Sequence, residues 1–303
     1  MGIYIDTIDL YITGSNAYML STELATLLSG RYVEIPILPF SFKEYCMVAG
    51  DSSDETLVEY LKRGGMPALV VGRYDDERFR MYMDGIYNTV IVNDIVGRNT
   101  RVTAGRTRRN VVDIGLLKAI AAFLSDSISS IVPVKRITDY LCTHVRRVSA
   151  NTVSDYLEAL AEAFVFYPVH GFDTKGKEIL LSQRKWYCVD LGLRNQTSRR
   201  SGYDLGRSLE NAVYLELNRR GYEVFTGRSG GVETDFVVRK NGQYAYYQVT
   251  ANMSDARTFE REMEPLRKIM DNWPKTVLTL DRYTVGTYEG IRVQHVIEWL
   301  LER

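Results

Sequence analysis

The sequence contains few cysteines and no long apolar run. Its three cysteines, Cys46, Cys142 and Cys188, are scattered and odd in number, which argues against a disulfide framework and a zinc cluster. No run approaches the roughly 20 apolar residues that cross a bilayer. Asp6 and Asp9 interrupt any signal-like block at the start. We therefore expect a cytoplasmic protein that makes no membrane contact.

The chain also lacks a net charge. Lys and Arg together number 38, and so do Asp and Glu, so any contact with nucleic acid has to come from a local patch. The hydrophobic content of 45% is that of an ordinary globular protein, which excludes disordered, collagenous and coiled-coil chains. A length of 303 residues predicts two or three domains.

The first 45 residues alternate between strand and helix patterns. An apolar run at 8–12 ends in a Gly-Ser-Asn turn, a helix pattern follows at 19–28, and a second apolar run at 32–38 favours a strand. Because buried strands need neighbours, this region resembles the tail of an α/β domain whose beginning is absent. Helical periodicity then extends over 42–95, with a break at the Gly-Gly-Met-Pro segment 64–67.

The middle of the chain follows the element order of a winged helix. Three helix patterns, at 117–128, at 134–141 and after Ser149, precede two β-like runs. The third helix would be the recognition helix, and the hairpin would contact phosphates. A second interpretation is a winged helix that only docks neighbouring domains. The candidate nucleic-acid-binding residues are Arg146, Arg147, Asn151, Thr152, Lys175 and Lys177.

The last region predicts an α/β sandwich around a central sheet. Its expected elements are a helix at 208–219, strands at 222–225, 234–240 and 243–250, a helix at 257–270, a strand at 276–280 and a closing helix at 293–301.

Several short motifs are similar to a bacterial and archaeal family of AAA+ ATPases that carry a winged helix and a restriction-endonuclease-like domain. The motifs are Tyr-Ile-Thr-Gly-Ser-Asn-Ala at 11–17, Leu-Ser-Gly-Arg-Tyr at 28–32, Leu-Pro-Phe-Ser-Phe-Lys-Glu-Tyr at 38–45, Gly-Gly-Met-Pro at 64–67, Asn-Asp-Ile-Val at 93–96, Glu-Asn at 210–211 and Glu-Thr-Asp-Phe at 233–236. The resemblance implies an AAA+ remnant at 1–45, a helical lid and linker at 46–110, a winged helix at 111–198 and the nuclease-like domain at 199–303.

The same resemblance implies nucleotide-related roles near the start of the chain. Ser15 or Asn16 would be the sensor residue, and Arg31 would be an arginine finger that acts on a neighbouring subunit. The Gly-x-x-x-x-Gly-Lys-Ser/Thr loop that cradles phosphates is absent from this sequence, and the acidic Mg²⁺-holding segment is absent too. ATP is therefore expected only if such a region lies upstream. The alternative is that these residues only form a turn and cap a helix, without contacting a nucleotide.

Asn241-Gly242 predicts a type I′ hairpin turn, which fixes the register of the strands on either side. Lys240 then pairs with Gln243, and Asp235 pairs with Gln248. The period of two places Glu233, Asp235, Gln248 and Thr250 on one face and the apolar residues on the other. A structure with the side chains of Asp235 and Gln248 on opposite faces of the hairpin would rule out a site formed by these four residues.

With Glu210 on the preceding helix, this face resembles the active site of restriction-endonuclease-like nucleases. Those use a helix Glu, a strand Asp and a Glu/Gln-x-Lys on the next strand, and carboxylates bind the hard cation Mg²⁺. Glu210, Asp235 and Gln248 are therefore the candidate catalytic residues, and Asp235 and Gln248 would be the metal ligands. Thr250 stands where the lysine belongs, so the alternative is a retained fold without the chemistry.

We expect a truncated AAA+ ATPase-like protein that is not an enzyme as it stands and has no cofactor. It would bind DNA or a protein partner. One alternative is a Mg²⁺-dependent nuclease, with Mg²⁺ as its cofactor. The other is a fragment of an ATP-binding protein whose phosphate-binding motifs lie upstream. The sequence leaves the oligomeric state open.

Overall fold

A computed structural model describes residues 11, 13–14, 33–89, 95, 113–199 and 204–302. Within them the chain is a mixed α/β protein. Its helices are α1 Phe42–Ala49, α2 Asp54–Arg63, α3 Pro67–Gly72, α4 Asp76–Tyr87, α5 Ile114–Asp126, α6 Val134–His144, α7 Ala150–Glu162, α8 Leu191–Thr197, α9 Leu205–Arg219, α10 Ala256–Arg267 and α11 Val296–Leu301. Its strands are β1 Phe166–Asp173, β2 Glu178–Cys188, β3 Glu223–Ser229, β4 Val232–Lys240, β5 Gln243–Thr250, β6 Lys275–Thr279, β7 Gly286–Tyr288 and β8 Ile291–His295.

Local signals set many of these boundaries. Ser149 caps α7, because its side chain accepts a hydrogen bond from the backbone of Thr152, as expected of an N-cap serine. The Gly-Gly-Met-Pro segment separates α2 from α3, as predicted. Gly221, with φ of 75°, follows the end of α9 in the left-handed conformation that glycine favours.

The strands form one mixed sheet in the order β2-β1-β3-β4-β5-β6-β8-β7. The hairpin β1-β2 joins it because β1 runs parallel to β3, with Gly171 opposite Thr226. The sheet therefore combines strands from both sides of residue 198, where a boundary between the winged helix and the nuclease-like domain was expected.

Both faces of the sheet are covered. On one face, Phe236 and Val238 pack in a core that includes Leu209 and Val213 of α9. On the other face, Val237 and Tyr246 pack in a second core with residues of α10. These two faces are called the α9 face and the α10 face below.

Two predicted elements were wrong. Residues 33–38 form neither helix nor strand, and Val33, Ile35 and Ile37 are largely exposed. No described strand pairs with this segment, so its apolar pattern is not accompanied by burial. The closing helix starts at Val296 rather than 293, because residues 291–295 form β8 and pair in parallel with β6.

A buried carboxylate ties the helical region to the rest of the chain. Asp190, which is 1% exposed, caps α8 and accepts a hydrogen bond from Gly65 N–H at 2.7 Å. Gly64 has φ of 76°, and a Cβ there would lie 2.3 Å from Asp190 Oδ1. Glycine is therefore required at position 64 by this close approach.

Candidate functional site

Four ionisable side chains meet at the α9 face of the sheet. Lys185 Nζ lies 3.0 Å from Glu210 Oε1, 2.6 Å from Glu233 Oε1 and 3.7 Å from Asp235 Oδ1. The Lys185 side chain is 2% exposed, whereas that of Glu233 is 42% exposed. We call these four residues the Lys185 cluster.

Helix α9 and strand β2 are joined next to the cluster. The side chain of Asn211 accepts from Cys188 N–H at 2.8 Å and donates to Cys188 O at 2.9 Å. The Tyr187 hydroxyl donates to Glu210 Oε1 at 2.7 Å. These two hydrogen bonds fix the side chain of Asn211 against β2. Glu210, the preceding residue of α9, is therefore held at a fixed place relative to β2.

A β-bulge in β4 brings Asp235 to the cluster. Phe225 of β3 pairs with Val237, but Gly227 pairs with Thr234, so Asp235 and Phe236 both lie opposite a single β3 residue. Such a bulge interrupts the period-two alternation of side chains. Asp235 is therefore turned towards Lys185, and Val249 N–H donates to its Oδ2 at 2.9 Å.

The predicted hairpin register is confirmed, but the predicted common face is not. Lys240 pairs with Gln243 and Phe236 with Tyr247. Asp235 N–H donates to Gln248 Oε1 at 3.2 Å.

The amide of Gln248 points to the α10 face, where its Nε2 donates to Glu262 Oε2 of α10 at 3.1 Å. The Thr250 hydroxyl donates to the backbone oxygen of Asn252. The bulge thus separates the side chain of Asp235 from that of Gln248, and the proposed four-residue face does not form.

The charges in the Lys185 cluster shift its pKa values. Burial by itself would lower the pKa of Lys185, but the three carboxylates raise it above its usual value. Burial, and then the negative charge of Glu210, raise the pKa of Asp235 to about 8. Burial also raises the pKa of Glu210, against the effect of Lys185. Lys185 therefore stays charged, and Asp235 binds a proton more readily than an ordinary aspartate.

A small cavity adjoins the cluster. Its lining includes Lys185, Glu233 and Thr226. The Thr226 hydroxyl is buried and has no hydrogen-bond partner among the described residues. Buried hydroxyls usually have a partner, and this one has none in the described part of the chain although its residue lines the cavity beside the cluster.

The oxygen atoms of the cluster and of Thr226 are of the type that binds hard cations, but they are not arranged as a metal site. Carboxylate and hydroxyl oxygens suit Mg²⁺, Mn²⁺ or Ca²⁺. Among the described residues, however, no group of three His, Cys, Asp or Glu side chains is arranged to hold a metal ion. As they stand, the residues of the Lys185 cluster hold an ammonium group.

The six candidate nucleic-acid residues have different surroundings. Arg147, Asn151 and Lys175 are exposed. Arg146 pairs with Asp113 at 2.9 Å, and Lys177 pairs with Asp271 at 2.7 Å.

Thr152 is half-buried, and its hydroxyl lies 2.9 Å from that of Ser149. Arg146 and Arg147 lie in the short connection between α6 and α7. Ser15, Asn16 and Arg31 lie outside the described residues.

Sequence reasoning missed Lys185 as a site residue. One signal was present, because Lys185 directly precedes the predicted β-like run at 186–189 and lies two residues before Tyr187, which places both side chains on the same face of a strand. Without the position of β2 in the sheet, nothing connected this lysine to Glu210, which follows it by 25 residues.

Two family models match the chain. Residues 3–46 match an AAA domain, and residues 54–204 match a domain of unknown function, DUF8612. The first match and the mixed α/β fold indicate a protein of an AAA-like class. No helix in the described part of the chain has the length and apolar character needed to cross a membrane.

Two curated relatives match almost the whole chain. An uncharacterized protein of Haemophilus influenzae is 38% identical over 97% of this chain and 71% of its own length. The uncharacterized protein MJ1544 of Methanocaldococcus jannaschii is 28% identical over 96% of this chain and 67% of its own length. The chain belongs to the same family as the Haemophilus influenzae protein.

Proposed function

We propose that this chain is a nucleic-acid-binding part of an AAA-like protein and that it binds nucleic acid without cutting it. In this proposal α5–α7 with β1 and β2 form a winged helix, and β3–β8 form a restriction-endonuclease-like sheet. The Lys185 cluster is the observation on which the proposed lack of cleavage rests. Its carboxylates already bind a buried ammonium group.

The arrangement of the middle region supports a winged helix. Ile131, between α5 and α6, forms an antiparallel bridge with Lys185 of β2. A single β-bridge there, followed by two helices and a hairpin, is consistent with that fold. The connection between α6 and α7 carries Arg147, and the first turn of α7 carries Asn151, both exposed. Arginine suits phosphate contacts and asparagine suits base edges.

The surroundings of Gln248 support binding rather than hydrolysis. Gln248 was the expected partner of Asp235 in holding a metal, but its amide donates to Glu262. A nuclease of this type needs a cation beside the scissile phosphate. The Lys185 side chain, at 2% exposure, leaves no open position at the centre of the cluster.

Binding can be tested by fluorescence anisotropy with duplex, single-stranded and branched DNA across a salt series. Arg147→Ala should weaken binding several-fold for all sequences and lower the salt slope by about one. Arg80→Ala, which removes an exposed arginine on α4, is the matched control and should bind as the wild type does. No binding at low salt, or equal behaviour of the two variants, would contradict the proposal.

A Mg²⁺-dependent nuclease is the second candidate, and one observation favours it. Lys185 supplies, from β2, the lysine that the sequence lacks at Thr250. Cleavage of plasmid or branched DNA with Mg²⁺ or Mn²⁺ by the wild type, and its loss in Asp235→Asn, would replace the first proposal with this one. Absence of cleavage with either metal would remove the nuclease candidate.

ATP chemistry is a further proposal for the whole protein. The match of residues 3–46 to an AAA domain supports roles for Ser15, Asn16 and Arg31 near a nucleotide. We expect no ATP hydrolysis by this chain alone, because it lacks a phosphate-cradling loop. Hydrolysis that Arg31→Ala abolishes would show that this expectation is wrong.

A further inference from the structure

We propose that Lys185 is a built-in cation that occupies a divalent-cation site, so that removing its ammonium group creates a binding site for one Mg²⁺, Mn²⁺ or Ca²⁺ ion. This inference does not depend on nucleic-acid binding. It concerns what the Lys185 cluster holds, and it is tested by metal binding rather than by cleavage.

The carboxylates of the cluster have supports other than the lysine. Glu210 accepts from the Tyr187 hydroxyl at 2.7 Å, and Asp235 accepts from Val249 N–H at 2.9 Å. The two groups come from different elements, α9 and β4, that the sheet and its core hold together. Second contacts of this kind keep a ligand oriented towards the centre of the site while it adjusts to a different central cation.

The charges of the cluster are unbalanced. Three carboxylates face one ammonium group, which leaves an excess of two negative charges when all four groups are ionised. A divalent cation in place of the ammonium would reduce that excess to one. Two charges at the same centre attract the carboxylates more strongly than one does in a buried environment.

A fourth oxygen belongs to Thr226, a residue that lines the cavity beside the cluster. The Thr226 hydroxyl is buried, has no hydrogen-bond partner among the described residues, and lines the cavity beside Lys185 and Glu233. Neutral oxygens often complete the shell of hard cations alongside carboxylates. The donors contain no sulfur or imidazole, so the site suits Mg²⁺, Mn²⁺ or Ca²⁺ rather than Zn²⁺.

Manganese binding provides the test. Isothermal titration calorimetry and thermal unfolding with and without Mn²⁺ would compare the wild type, Lys185→Met and Lys177→Met. Lys185→Met should bind one Mn²⁺ at least about tenfold more tightly than the wild type, and its Tm should rise with Mn²⁺. Lys177→Met is the matched control, because Lys177 pairs with one carboxylate, that of Asp271. It should behave as the wild type does.

A second variant covers the case in which Lys185→Met does not fold alone. Lys185→Met with Glu233→Gln keeps the formal excess of two negative charges and retains an oxygen donor at position 233. Folding of either variant on addition of Mn²⁺ would support the inference. Wild-type binding as tight as that of the variants would overturn it. So would folded variants that bind no more tightly than the wild type, or variants that stay unfolded with Mn²⁺.

Discussion

Replacing Asp235 by asparagine should remove a pH dependence of stability that this carboxyl group imposes on the protein. Burial and the neighbouring negative charge raise its pKa from an ordinary value of 3.8 to about 8. The folded state therefore binds a proton that the unfolded state releases at a lower pH. Stability from this group is fully present below the unfolded pKa and is lost as the pH rises through the folded pKa.

The expected magnitude follows from the linkage relation. Between about pH 6 and about pH 8, this one group should lower the free energy of unfolding of the wild type by about 2 kcal/mol. Asparagine cannot ionise, and its side-chain oxygen can still accept from Val249 N–H. Asp235→Asn should therefore lack that decrease and should be more stable than the wild type at about pH 8.

Urea denaturation at several pH values across this range would measure the effect. The quantity of interest is the difference between wild type and variant at each pH, because contributions from titrating groups outside the Lys185 cluster then cancel. Asp271→Asn is a suitable control: burial by itself would raise the pKa of Asp271, but hydrogen bonds from Lys177 and Tyr246 lower it below its ordinary value. It should lose stability by the same amount at each pH. A pH dependence in Asp235→Asn equal to that of the wild type would refute the reasoning.

Two glycine-to-alanine substitutions would separate the cost of backbone strain from the cost of a steric clash with Asp190. Gly64→Ala should destabilise the protein by about 2 kcal/mol or more, because the residue has φ of 76° and a Cβ would lie 2.3 Å from Asp190 Oδ1. Gly242→Ala, with φ of 78° and no atom within 4 Å of a Cβ, should cost about 1 kcal/mol, from backbone strain alone. Urea denaturation measures both, and equal losses would contradict the role given to Asp190.

Local chemistry in the sequence was enough to place many elements. Asn241-Gly242 favours one turn type, and that turn fixed the pairing of Lys240 with Gln243. Ser149 marked the start of α7 because a side-chain oxygen there satisfies a free backbone N–H. These interactions join residues a few positions apart, so the sequence contains all the information they need.

The short strands near the C-terminus were not predictable in the same way. Residues 291–295 have an apolar pattern that fits a helix or a strand, and the parallel pairing with β6 decided between them. The apolar pattern at 33–38 also fits a strand, but no described strand pairs with it. A strand exists only with a partner, and the partner is a property of the tertiary structure.

The sequence by itself determined which residues carry charge in the last region, and it singled out Glu210 and Asp235. Only the tertiary structure decided what these carboxylates contact. The bulge opposite Thr226 turned Asp235 away from Gln248, and the pairing of β1 with β3 brought β2 into the same sheet. Lys185 could then reach carboxylates far along the chain, because a buried charge is stable only where the fold supplies its counter-charges.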